Sequence, residues 1–82
     1  MMFLFSTVIY FDEVPAGYDV YREDTIFQFK PAIDSPVERP TIRAFFSNQL
    51  WIVEGTFHHE IIEQVKKIIE LNELISVLNV AS

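Results

Sequence analysis

No cysteine occurs anywhere in the 82 residues, so neither a disulfide nor a thiolate-bound zinc can supplement the fold. Only two glycines are present, Gly17 and Gly55, too isolated to build the glycine-rich loop that cradles a phosphate. Bases are scarce too. Six Lys and Arg stand against twelve Asp and Glu, a formal charge of −6, and the resulting field repels nucleic-acid phosphate and anionic membrane. The opening run from Met1 to Phe11 is apolar apart from Ser6 and Thr7, and it falls well short of the roughly 20 residues that span a bilayer as a helix. It has no Lys or Arg before Arg22 and runs straight into Asp12-Glu13, so it lacks the basic start and small-residue cleavage site of a secretory signal. These deficits lead to the expectation of a soluble cytoplasmic protein that binds neither nucleic acid nor membrane.

What is abundant is oily surface. Half the residues are apolar and 15% aromatic, with eight Phe, three Tyr and one Trp, the reverse of a disordered composition. A chain of this length holds one domain, residues 1–82, and buries only roughly 60 to 65% of its unfolded surface. With no disulfide to help, oligomerisation becomes an expected source of stability.

Residues 2–11, MFLFSTVIYF, are aromatic and β-branched and read as a strand. Alternation sends Met2, Leu4, Ser6, Val8 and Tyr10 one way and Phe3, Phe5, Thr7, Ile9 and Phe11 the other, so both faces are apolar. Asp12 to Gly17 reads as a turn by composition, followed by a hairpin of YDVY, residues 18–21, and TIFQF, residues 25–29. Pro31 ends the second of these strands, and the proline-rich stretch from Pro31 to Pro40 reads as an extended surface connection. TIRAFF, residues 41–46, and LWIVE, residues 50–54, form a second hairpin around a three-residue loop, Ser47-Asn48-Gln49. After Gly55 the period changes. Ile61, Ile62, Val65, Ile68 and Ile69 form a helical stripe, Thr56 is its expected N-cap, and Glu63 precedes Lys67 by four on the solvated face. The stripe continues to about residue 78, with a kink expected at Asn72 and a final strand as the alternative for the β-branched tail.

The chemistry-bearing patterns are thin. His59 and Glu63 sit four apart on a helix beside His58, but two ligands do not make a zinc site and the H-E-x-x-H pattern is absent. No cysteine, no G-x-S-x-G elbow and only two adjacent histidines leave no activated nucleophile. No cofactor and no catalysis is expected. Asp19, Glu23 and Asp24, with Asp12 and Glu13, fall within residues 12–24 and suggest a negative patch for a basic partner, although wet turns collect charge by default.

The aromatics are the larger oddity. Phe3, Phe5, Phe11, Phe45 and Trp51 lie on alternating sides of expected strands, and one helix covers only one side of a sheet. The sequence therefore implies an α+β domain: an antiparallel sheet of about five strands, two hairpins among them, with one C-terminal amphipathic helix on one face. The expected function is a non-catalytic protein-interaction module that self-associates through an apolar sheet face. The alternative is an acidic inhibitor or immunity-type protein using the 12–24 carboxylates, and the least favoured is a metal-dependent enzyme at His58, His59 and Glu63.

Overall fold

The computed structural model describes residues 1–33 and 38–81, with side chains along the helix described as far as Asn72. Five strands, β1 (Met2–Phe11), β2 (Val14–Glu23), β3 (Ile26–Pro31), β4 (Ile42–Ser47) and β5 (Leu50–Glu54), precede one helix, α1 (His59–Ala81). The strands form one antiparallel sheet in the order β1-β2-β3-β4-β5, a meander in which each strand pairs with its sequence neighbour. This is the α+β architecture expected from the sequence.

The turns depart from expectation in an informative way. Asp12 to Gly17 does not form one long turn. Asp12 and Glu13 alone make the reversal, both at positive φ (50° and 68°), and β2 starts at Val14. Phe11 and Val14 close a two-residue loop of the kind whose twist matches the flanking strands. Pro15 is tolerated inside β2 because that end of the strand runs beyond β3, whose pairing begins only at Tyr18 opposite Pro31; no described strand pairs with the N–H that proline lacks. The β4–β5 loop is likewise two residues rather than three: Ser47 pairs with Leu50, and Asn48 and Gln49 take φ of 52° and 65°. At the β2–β3 turn only Asp24, φ 55°, is left-handed.

Gly55 is required where it stands. Its φ is 104°, and a Cβ there would lie 2.4 Å from the Thr41 carbonyl oxygen, closer than a non-bonded carbon and oxygen can approach. The helix begins two residues later than the N-cap reading placed it. Thr56 Oγ1 accepts from the His58 N–H at 3.2 Å, a local turn, while the His58 carbonyl accepts from the N–H groups of Ile61 and Ile62, at 3.1 Å each. His58, not Thr56, therefore holds the N-cap position of α1. The helix runs through Asn72 to Ala81, so the tail does not form a strand. The extended connection expected over Pro31–Pro40 lies partly outside the described residues.

The core joins one sheet face to α1. Ile9, Ala16, Tyr18, Val20, Phe27, Phe29, Ile42 and Ala44 from the sheet bury against Ile61, Val65 and Ile69 of the helix, and no polar side chain is buried among the described residues. The α1 backbone comes nearest to β1 and β5, the two edges of the sheet. The sheet thus curls around the helix, as expected of a twisted meander with one covered face. Tyr18 ties this face to the β3–β4 connection, its hydroxyl donating to the Pro40 carbonyl at 2.8 Å. Burial pushes the Tyr18 phenol up to about 12, against a smaller downward pull from the Arg39 guanidinium.

Gln64 fixes the helix to the edge. Its Oε1 accepts from the Tyr10 N–H and its Nε2 donates to the Tyr10 carbonyl, both at 2.8 Å. A single carboxamide therefore does for one residue of the edge strand what a neighbouring strand would do for a whole row.

Candidate functional site

The face of the sheet opposite α1 is the candidate site, and the pairing register builds it row by row. Strand alternation places Phe3, Tyr21, Gln28, Arg43 and Glu54 side by side across all five strands. The adjacent row carries Glu23, Ile26, Phe45 and Ile52. On the other side Ser6, Asp19 and Lys30 make a polar row. Phe3 meets Tyr21 edge-on at 5.6 Å between ring centroids, and Lys30 Nζ stands 5.4 Å over the Tyr21 ring. Ser6 Oγ donates to Asp19 at 2.7 Å, and Arg43 pairs with Glu54 at 3.8 Å.

The surface thus carries an apolar patch, Phe3, Tyr21, Ile26, Phe45 and Ile52, interrupted by Gln28, Arg43, Glu54 and Glu23 in the same rows and bordered by a polar row. Phe3 is 54% exposed, Ile52 39% and Leu50, at the next turn, 69%, and no described residue covers them from outside. Among the described residues three acids, Asp19, Glu23 and Glu54, and two bases, Lys30 and Arg43, share the face, so their charges nearly balance on a chain carrying −6.

The structure distributes the sequence-predicted residues over both faces. Phe3, Phe45, Asp19 and Glu23 come together on the open face. Phe5, Phe11 and Trp51 lie on the helix side, half-buried and packed against the core. Phe11 stacks on Tyr18 at 6.1 Å and Trp51 packs between Phe27 and Phe46 at 5.9 and 5.4 Å. The separation of Phe3 from Phe5 has a local cause. Phe3 pairs with Tyr21 and Phe5 with Val20, which leaves Leu4 as the extra residue of a β-bulge. One extra residue reverses the facing of everything before it, so Phe3 emerges on the open face and Leu4 packs on the core.

The acids of residues 12–24 do not form one patch. Asp12 and Glu13 occupy the turn at one end of β2, and Glu23 and Asp24 lie at the other end, ten residues of strand away, about 33 Å. At α1, His59 Nε2 lies 3.7 Å from Glu63 Oε1, and no group of three or more His, Asp or Glu is placed to hold a metal among the described residues.

Tyr21, Ile26, Lys30, Arg43 and Ile52 were missed as site residues. Their signal was available in the second hairpin: a two-residue loop at Asn48-Gln49 puts Phe45 opposite Ile52 and Arg43 opposite Glu54. The three-residue loop reading concealed that register. A separate cleft of about 440 Å³ opens at the start of α1 between Tyr10, Arg39, His58 and Glu60. There Arg39 lies 4.5 Å over the Phe11 ring, and Asp12 and Glu60 line the same cleft. No described helix is long and apolar enough to cross a membrane. Compared with protein-family models, with curated proteins and with solved structures, the chain matches none.

Proposed function

We propose that this domain is a non-catalytic interaction module that pairs with a second copy of itself, open sheet face to open sheet face. The observation that carries the reading is the apolar run Ile26–Phe45–Ile52, half-buried at Ile26 and Phe45 and exposed at Ile52, with exposed Phe3 and half-buried Tyr21 beside it, on the face away from α1. Packed sheets bury such rows by interdigitating side chains at about 10 Å separation.

Charge favours a second copy as the occupant, and area bounds how strongly it is held. Five strands about 4.8 Å apart and some six residues deep give a face of roughly 450 Å², or about 900 Å² summed over two copies. That falls below the roughly 1,200 to 2,000 Å² of standard specific interfaces and belongs with weak, reversible pairs. Two chains of charge −6 repel wherever their acidic surfaces approach, whereas this face carries both signs nearly in balance. The lack of cysteine leads us to place the module in a reducing compartment, the cytoplasm.

Sedimentation of the full chain from about 1 to 200 µM tests this. A reversible monomer–dimer equilibrium that is abolished by Phe45→Lys is expected. A monomer throughout that range, or a dimer indifferent to Phe45→Lys, overturns the reading.

A further inference from the structure

The outer edge of β1 offers a second surface, of a different kind from the open face. In an antiparallel strand the N–H and C=O of alternate residues point away from the paired neighbour. Tyr10 is one such residue, because both its backbone groups bond outward to Gln64. Counting back by twos with no bulge in between, Val8 and Ser6 present their backbone groups to the same side. None of these four groups has a partner among the described residues.

Beside them lies an uncharged cleft of about 380 Å³ between the strand and the helix, lined by Leu4, Phe5, Thr7, Ile68, Leu71 and Asn72. The Gln64 carboxamide already shows what this edge accepts: a group with one amide donor and one carbonyl acceptor at peptide spacing. Past Gln64 the α1 residues lining the cleft are Ile68 and Leu71, which supply apolar contact, and Asn72, which adds an uncharged carboxamide.

We infer that the β1 edge at Ser6 and Val8 binds a short extended peptide segment as a sixth strand, whose alternate apolar side chains enter the Leu4–Ile68–Leu71 cleft. Backbone hydrogen bonds hold such a ligand and the cleft selects its side chains. The absence of charge in the lining calls for an uncharged, β-branched or aliphatic segment. A two-fold β1–β1 pairing with a second copy does not fit. The helix of each copy reaches over this edge through Gln64, so two helices would compete for the space beside two adjacent strands about 4.8 Å apart. The Leu4 bulge and the Gln64 clamp limit the added segment to the four backbone groups between them.

The test uses the full ¹⁵N-labelled chain and the capped peptide acetyl-Thr-Val-Thr-Val-Thr-amide as probe. In the free protein the Ser6 and Val8 amides should exchange with solvent about tenfold faster than those of Thr7 and Ile9. Saturable shifts of the Ser6 and Val8 resonances should accompany titration to a few millimolar. An N-methylated version of the peptide, unable to pair along its length, should bind at least threefold more weakly, and Leu71→Lys should weaken the parent peptide by a similar factor. Equal exchange of all four amides, no saturable shift, or a difference of less than threefold with either the methylated peptide or the variant overturns the proposal. Because Phe45→Lys leaves this edge intact, failure here and failure of the face-to-face pairing are separately visible.

Discussion

Ile52→Lys is the sharpest perturbation of the proposed self-association. Ile52 sits on β5, opposite Phe45, on the face away from α1. Complete burial of an isoleucine side chain is worth up to about 3 kcal/mol. With 39% of the residue exposed in the single chain, pairing recovers about 1 kcal/mol of that. A two-fold pair carries the substitution twice, so the loss is about 2 kcal/mol, or roughly a 30-fold rise in the dissociation constant. Two ammonium groups brought against an apolar row add a desolvation cost in the same direction. The lysine stem can lie along Phe45 with its head in water, so the monomer should keep its fold.

Sedimentation velocity across a concentration series reads the dissociation constant, and a thermal melt by circular dichroism at a concentration where both proteins are monomeric reads the fold. The expected result is a melting temperature within about 3 °C of the parent, a change of well under 1 kcal/mol, with dimer lost at concentrations where the parent is paired. A dissociation constant within threefold of the parent, in a variant that melts normally, refutes the assignment of this row to an interface.

Other consequences follow from the core, the turns and the edge. Truncating Ile42, fully buried between sheet and helix, to alanine should cost about 3 kcal/mol in urea unfolding with an unchanged m-value. Glycine at Gln49, whose φ is 65°, should relieve left-handed strain and raise stability by about 0.5 to 1 kcal/mol; no gain in melting temperature would count against the turn geometry. Tyr18 holds its proton up to about 12 when folded and to the ordinary 10 when unfolded. Its contribution is therefore complete below pH 10 and is lost as pH rises toward 12. Tyr18→Phe should lower stability near neutrality by about 1 kcal/mol through the lost bond to the Pro40 carbonyl, and should lose less of its melting temperature than the parent between pH 9.5 and 12. Gln64→Ala should free both backbone groups of Tyr10 and accelerate exchange of its amide, measured by hydrogen exchange, at a cost of about 1 to 2 kcal/mol.

Much of the architecture was legible because it rests on local rules. Aromatic and β-branched runs divided by turn residues, then a change of period from two to 3.6 after Gly55, specify five strands and a helix wherever the chain finds a core. The turn lengths were less legible. Type I′ loops usually carry glycine, and Asp12-Glu13 and Asn48-Gln49 do not, so composition pointed to longer connections than the strands needed. Thr56 looked like the cap because its hydroxyl suits the role, yet it serves a turn two residues earlier.

The amino-acid order by itself determined the class, the strand-forming segments, the helical stripe of Ile61, Val65 and Ile69, and a surplus of apolar surface over what one helix covers. Tertiary structure alone decided which residues make up that surplus. A single unpaired residue at Leu4 turns Phe3 outward while Phe5 and Phe11 pack against the core on the helix side, and the pairing of β4 with β5 sets Ile52 beside Phe45. Facing in a strand has a period of two, so any one-residue uncertainty in register exchanges the two faces completely. Register is fixed only when neighbouring strands and the helix pack together, which is why composition revealed the quantity of exposed oil and the assembled sheet revealed its address.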